Sequence, residues 1–300
     1  NDLRDDVASD EVEELQKTLA KVSESVADAL RGKNRLSTAR EAVDALTARM
    51  RAIVGGDEEA AGWATGLAPI DLVTGGARPG QLWVIAGETS GGKSVALLQA
   101  AQQASFKGGR VLIVSLEMET WEVMARLCAC RGGFSLSAYM DPAKASSHDL
   151  KRAKRTMQAM GAETLAIDDQ GGRSVPQIEA MATEFADANG GIDMIVVDYI
   201  QLIDCPRKGR NDTREGELSA ASKALKSMAK RFRCPVLTAS QLNDNGRLRE
   251  SRAIGHDADV VLCIEEDGIR GVKIRNAPRG QLFPLTLNGD KQRFDQTHHQ

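Results

Sequence analysis

Aromatic side chains supply only 4% of this 300-residue chain. The 42% that is apolar is enough for a packed core, but aliphatic side chains must fill it. No apolar stretch approaches the roughly 20 residues of a membrane span, so a membrane partner is excluded. The five cysteines (Cys128, Cys130, Cys205, Cys234, Cys263) are an odd set without paired C-x-x-C spacing. They argue against a structural zinc and read as buried free thiols in a reducing cytoplasm. Positive charge is not in excess: the net charge is −3. Any contact with a nucleic acid must therefore come from a local basic cluster rather than the global field. Neither an initiator Met nor a secretory signal opens the chain, so a processed piece of a longer protein is expected.

Two helical segments begin the chain. Residues 9–31 carry Leu15, Leu19, Val22 and Val26 on one stripe, and Ser37 to Ile53 carries Ala42, Leu46, Met50 and Ile53. Ser37-Thr38-Ala39-Arg40-Glu41 offers an N-cap. Each stripe needs a partner surface, either the main domain or, as an arm, a neighbouring subunit. Gly55-Gly56-Asp57-Glu58-Glu59 reads as a linker. From about Trp63 the pattern becomes β-α alternation, which gives an expected division into 1–60, helical arm and linker, and 61–300, an α/β domain. Strands are expected at Leu82–Ala86, Val111–Leu116, Thr164–Asp168, Met194–Leu202, Pro235–Leu242, Asp259–Glu265, Val272–Arg275 and Phe283–Leu287. The early ones are unbroken apolar runs, as in a parallel sheet covered on both faces. Helices are expected at Trp121–Arg131, His148–Met160, Val175–Ala188 and Gly216–Phe232. The late strands crowd together without helices and suggest an antiparallel extension.

The most informative run is Gly87-Glu88-Thr89-Ser90-Gly91-Gly92-Lys93-Ser94. It follows an apolar strand and opens into Val95-Ala96-Leu97-Leu98, a helix: the context of a P-loop. Glycines let backbone N–H groups close around phosphates at a positive helix end. Gly87, Thr89, Ser90, Gly91, Gly92, Lys93, Ser94 and Val95 are thus candidate nucleotide contacts. Lys93 would reach the outer phosphates of ATP, and the Ser94 hydroxyl would join the Mg²⁺ shell. Met194-Ile195-Val196-Val197-Asp198 is an apolar strand ending in a carboxylate, which makes Asp198 the second metal candidate. Glu117 stands at the end of another buried strand, where it can polarise an attacking water. Gln241 ends a third, as an uncharged amide able to hydrogen-bond a γ-phosphate.

The ensemble resembles a known family. Thr65-Gly66-Leu67-Ala68-Pro69-Ile70-Asp71 leads to Thr74-Gly75-Gly76 and the P-loop. Ser115-Leu116-Glu117-Met118, Asp198-Tyr199-Ile200-Gln201-Leu202 and Ser240-Gln241-Leu242 follow. Arg249-Glu250-Ser251, His256-Asp257-Ala258-Asp259 and Lys273-Ile274-Arg275-Asn276-Ala277-Pro278 complete the order. Over roughly 36–297 this is similar to the C-terminal motor of DnaB-type replicative helicases, superfamily 4 ring ATPases with a RecA-like core. The resemblance implies a hexamer that couples ATP hydrolysis to 5′-to-3′ translocation on single-stranded DNA and unwinds forked DNA. It implies Glu117 as catalytic base, Asp198 as metal carboxylate and Gln241 as γ-phosphate sensor. Lys273 and Arg275 match the basic pair that reaches a neighbour's nucleotide; by period alone they are two basic side chains on one strand face. Arg249, Glu250 and Arg252 match the loop that grips the DNA backbone in the channel. Arg207, Lys208 and Arg210 are either a second channel loop or a solvated surface loop. Lys223, Lys226 and Lys230 read as the wet side of a helix. A primase or a helicase loader is a further partner of the family, although its primase-contacting N-terminal domain is not matched here. The expected setting is cytoplasmic, at a nucleoid or viral replisome.

The P-loop departs from the family at Glu88-Thr89-Ser90, where Arg-Pro-Ser is usual. Glu88 either points outward or weakens nucleotide binding. Arg252 replaces a customary glycine. The alternative reading is a RecA-like ATPase that uses ATP as an assembly switch, as a recombinase or regulatory ring, without unwinding.

Overall fold

The structure, a computed structural model, describes residues 38–205, 213–242, 252–275 and 277–297. The segment expected to be helical at 9–31 lies outside them, as do Arg207, Lys208, Arg210, Arg249 and Glu250. The chain divides into two compact units, Asn1–Gly55 and Gly56–Gln300. In the first, α1 (Ala39–Val54) is entered through a capping box. The Thr38 hydroxyl accepts from Glu41 N at 3.3 Å, and the Glu41 carboxylate accepts from Thr38 N at 2.9 Å. Within its unit the stripe Val43, Leu46, Met50 and Ile53 is exposed.

The second unit is a three-layer α/β domain. A helix α2 (Ala68–Thr74) precedes β1 (Leu82–Gly87), α3 (Lys93–Phe106), β2 (Val111–Ser115), α4 (Thr120–Gly132) and α5 (Ser147–Met160). Then come β3 (Leu165–Asp168), α6 (Val175–Asn189), β4 (Met194–Asp198), α7 (Arg214–Phe232) and β5 (Val236–Gln241). The chain closes with α8 (Arg252–Asp257), β6 (Val260–Glu265), β7 (Gly268–Ile274), β8 (Gln281–Phe283), β9 (Leu285–Asn288) and β10 (Arg293–Gln296). The main sheet has the order β3-β2-β4-β5-β1-β6-β7-β8. Its members from β3 to β6 are parallel, while β7 and β8 extend it antiparallel.

The unbroken apolar strands are covered on both faces, as their composition requires. In β1, Trp83 and Ile85 pack in the layer with α3 and α4, whereas Leu82 and Val84 pack in the layer with α6 and α7. Both layers consist mainly of Leu, Ile, Val and Ala, which is how so few aromatics suffice. Cys128, Cys130, Cys234 and Cys263 are buried free thiols and Cys205 is half-buried. Burial pushes Cys128 and Cys130 up to about 11 and Cys234 to about 12. No helix among the described residues is long and apolar enough to cross a membrane.

Some expected boundaries shift for physical reasons. The run Met194–Leu202 is not one strand: β4 stops at Asp198, and Ile200–Leu202 forms a 3₁₀ turn that buries Ile200. The run Phe283–Leu287 is two strands in two sheets, because Pro284 between them has no N–H to donate. Strand β7 begins at Gly268, four residues before the expected Val272. Helices α2 and α8, and strand β10, were not legible as elements.

Candidate functional site

Four strands deliver the predicted residues to one edge of the sheet. β2, β4, β5 and β1 are adjacent in that order. The register sets Ser115 beside Asp198 and Gly87 beside Gln241. Backbone bonds continue the ladder past the strand ends: Leu116 N donates to Asp198 O at 2.8 Å and Leu242 N to Gly87 O at 3.3 Å. Residues distant in sequence thus converge where ligands of parallel α/β sheets bind. A cleft of about 580 Å³ opens there, lined among others by Thr89, Ser90, Gly92, Lys93, Ser94, Val95, Glu117, Asp198 and Gln241. Gly87 is buried beneath it, and Gly91 lines an adjoining cleft with the outward-facing Glu88.

The P-loop wraps from β1 into α3. Gly92 is the residue before the helix, at φ +91°, and an added Cβ would lie 3.0 Å from both Leu287 Cδ2 and Phe294 Cζ. Only glycine satisfies both the backbone and the approach of the β9–β10 ribbon. Lys93 is 8% exposed. Its ammonium donates to Gly87 O at 3.0 Å and Glu88 O at 2.5 Å. Burial lowers its pKa, against the attraction of Asp198, Glu117 and Glu88. These carbonyl bonds hold the cation at the loop, from which it can exchange them for phosphate oxygens.

Asp198 is 1% exposed. Desolvation lifts its carboxyl to about 6; the Ser94 hydroxyl bond and the charges of Lys93 and Arg126 oppose the shift, and Glu117 adds to it. Its Oδ2 is buried without a hydrogen-bond partner. A buried, orphaned carboxylate oxygen next to the Ser94 hydroxyl is what a hydrated Mg²⁺ would complete, so the residues fit that ion. Among the described residues no group of three or more His, Cys, Asp or Glu could hold a metal. Glu117 is exposed in the cleft, in keeping with a group that must meet solvent water.

Several supporting residues were not singled out by sequence. Arg126 stands one turn beyond Glu122 on α4, both line the cleft, and Arg126 Nη1 donates to Gln292 Oε1 at 2.6 Å. The i, i+4 spacing was the available signal. Gln99, 4% exposed, donates to Gly66 O at 2.9 Å and Phe294 O at 3.2 Å and accepts from Phe294 N at 2.7 Å. It ties α3 to the Thr65-Gly66 turn and to the ribbon. Asp71 closes that turn by accepting from Thr65 N, Gly66 N and the Thr65 hydroxyl, the last at 2.7 Å.

The basic pair is not in this cleft. Ile274 pairs with Val260 at the start of β6, which neighbours Trp83, so Lys273 and Arg275 stand at the opposite edge. Arg275 is 67% exposed and pairs with Asp259 at 3.2 Å. Lys273 donates to Gly255 O at 2.9 Å and His256 O at 3.0 Å. Arg252 opens α8. Lys226 does not belong to a wet face: it donates to Asp259 Oδ2 at 2.5 Å and Gly80 O at 2.6 Å, while Lys223 and Lys230 are exposed.

A family model described as DnaB-like helicase C terminal domain matches residues 62–293. Replicative DNA helicase DnaB of Pasteurella multocida (strain Pm70) is 31% identical over 260 residues, 78% of this chain and 55% of the relative. Its counterpart in Haemophilus influenzae is 31% identical over 268 residues, with the same shares covered. The chain thus spans about half the length of these curated relatives. Among solved structures, one described as an ATPase domain superposes with a TM-score of 0.74 at 23% identity, covering 85% of this chain and 98% of that one. A DnaB-like replicative helicase, described with its primase interactions, gives 0.73 at 21% identity over 94% and 77% of the two chains.

Proposed function

Because the chain belongs to the DnaB-like helicase C-terminal domain family, we propose that it is the ATP-hydrolysing motor of a ring-shaped replicative DNA helicase. In this reading it assembles as a hexamer and moves 5′ to 3′ along single-stranded DNA. The observation that supports it most is the meeting of the P-loop, Glu117, Asp198 and Gln241 at adjacent strand ends. The named relatives favour this motor over a switch-type ATPase without unwinding.

Each residue has a physical task. Loop amides and the start of α3 hold the phosphates. Lys93 leaves the Gly87 and Glu88 carbonyls for the outer phosphate oxygens. Bound Mg²⁺, held by Ser94 and through water by Asp198, would neutralise charge on the transferring phosphoryl group. Glu117 orients and deprotonates the attacking water, and Gln241 bonds the γ-phosphate. Arg275 is separated from its own P-loop by the four-residue span from Trp83 to Gly87, about 13 Å of strand. That separation supports the reading that it serves another subunit, where an arginine supplied in trans is worth roughly 10³–10⁵ in rate. Arg249, Glu250 and Arg252, with Arg207, Lys208 and Arg210, are proposed to grip the DNA backbone. A primase or a loader is a proposed partner, supported by the described primase interactions of a structural neighbour.

The test measures ATP turnover with and without single-stranded DNA, and unwinding of a forked duplex. Glu117→Gln should bind ATP but hydrolyse it at least roughly 100-fold more slowly. Arg275→Ala should bind ATP normally yet lose DNA-stimulated turnover. Brisk hydrolysis by the first, or normal stimulation in the second, refutes that assignment; absence of unwinding by the parent refutes the motor.

A further inference from the structure

Asp259 sits where β6 begins and is 1% exposed. Two donors and an ion-pair partner converge on it from three elements: Leu82 N of β1 donates at 2.9 Å, Lys226 Nζ of α7 donates at 2.5 Å, and Arg275 Nη1 after β7 lies 3.2 Å away as an ion pair. The same corner holds the second cation of the pair. Gly255 O and His256 O at the end of α8 accept from Lys273 Nζ, where the last carbonyls of a helix favour positive charge. Strand β7 is irregular at the point that matters. Val261 pairs with Lys273 but Leu262 pairs with Gly271, leaving Val272 as the extra residue of a β-bulge. Bulges re-aim the side chains that follow. Here the bulge turns Lys273 onto α8 and carries Arg275 to Asp259. The guanidinium is held by this ion pair and its side chain stays 67% exposed.

We propose that the corner Gly255–Asp259 is a positioning device that aims Arg275 at the neighbouring subunit's nucleotide. This rests on the reading of Arg275 as a group acting in trans. The end of α8 fixes Lys273 through its terminal carbonyls, and Asp259, two residues beyond the helix, fixes Arg275. Lys273 also tethers the strand end to α8 of its own subunit. An ion pair on a largely exposed side chain restricts the guanidinium while leaving its fork open to phosphate. Misplacement by about 1 Å is enough to cost about 10²-fold in rate.

The experiment compares the full chain, in its assembled state, with Asp259→Asn, Arg275→Ala, the double variant and Lys226→Met. Asn keeps an acceptor for Leu82 N but removes the charge that holds Arg275. ATP turnover is measured across ATP concentrations, with and without oligothymidylate. Asp259→Asn should leave KM for ATP within about twofold and lower DNA-stimulated kcat by roughly 10- to 100-fold. The double variant should match Arg275→Ala, since the two residues act through one group. Lys226→Met removes the other cation of Asp259; it should lower the melting temperature yet retain stimulation. Normal stimulation in Asp259→Asn beside an inactive Arg275→Ala overturns the proposal alone, as do losses that multiply in the double variant. Loss of stimulation in Lys226→Met does the same, because a structural role then suffices. Normal turnover in Arg275→Ala removes the trans reading itself. If Asp259→Asn does not fold, Lys273→Met carries the test, and undiminished stimulation there overturns the proposal.

Discussion

Replacing Asp198 with Asn should make the nucleotide-free protein more stable while disabling it. The carboxyl is 1% exposed, one of its oxygens has no partner, and its pKa lies at about 6 instead of 3.8. The folded state therefore favours the protonated form. That contribution is fully present below about pH 4 and is lost as pH rises through about 6, where ionisation must occur in a buried site. The gap between the two values corresponds to about 3 kcal/mol at neutral pH. An amide never ionises, so Asn avoids this loss, though its buried NH₂ must find an acceptor. A net gain of roughly 1–3 kcal/mol follows, or roughly 2–12 °C in a domain of this size. The assay is thermal unfolding followed by circular dichroism, without nucleotide or Mg²⁺, from about pH 4 to about pH 8. The Asn variant should differ little from the parent near about pH 4, gain on it up to about pH 6 and keep a constant lead above that. Adding Mg²⁺ and an ATP analogue should then stabilise the parent more than the variant. A variant less stable at the alkaline end, or a difference that ignores pH, refutes the reasoning. In either case the carboxylate is not strained by burial, and the argument for a metal beside it loses its basis.

Two supporting residues give further tests. Asp71→Ala removes the acceptor of Thr65 N, Gly66 N and the Thr65 hydroxyl and should cost about 2–4 kcal/mol in urea unfolding. A loss below about 0.5 kcal/mol would show that the turn holds itself. Gln99→Ala leaves the Phe294 amide and the Gly66 carbonyl unpaired and should lower stability by a similar amount in the same assay. Because Leu287 and Gln292 of the ribbon region line the cleft, a fluorescent ATP analogue should also bind this variant more weakly; unchanged affinity would separate the ribbon from nucleotide binding.

What the sequence determined by itself was local. Unbroken apolar runs such as Met194–Val197 forced strands buried on both faces, since no polar side chain was there to face water. Gly92 next to Lys93 dictated a turn whose amides can close on phosphate. Thr38 and Glu41 spelled out a helix start. Tertiary structure decided everything that depends on which strands become neighbours. Inserting β4 and β5 between β2 and β1 brings Glu117, Asp198 and Gln241 to the P-loop, and no spacing along the chain encodes that order. Lys226 shows the same limit from the other side. Its period places it on a wet face, but α7 lies against the corner where Asp259 is buried, and a buried carboxylate recruits whatever cation is within reach. Pairing across the sheet, unlike periodicity within a strand, is a property of the folded chain.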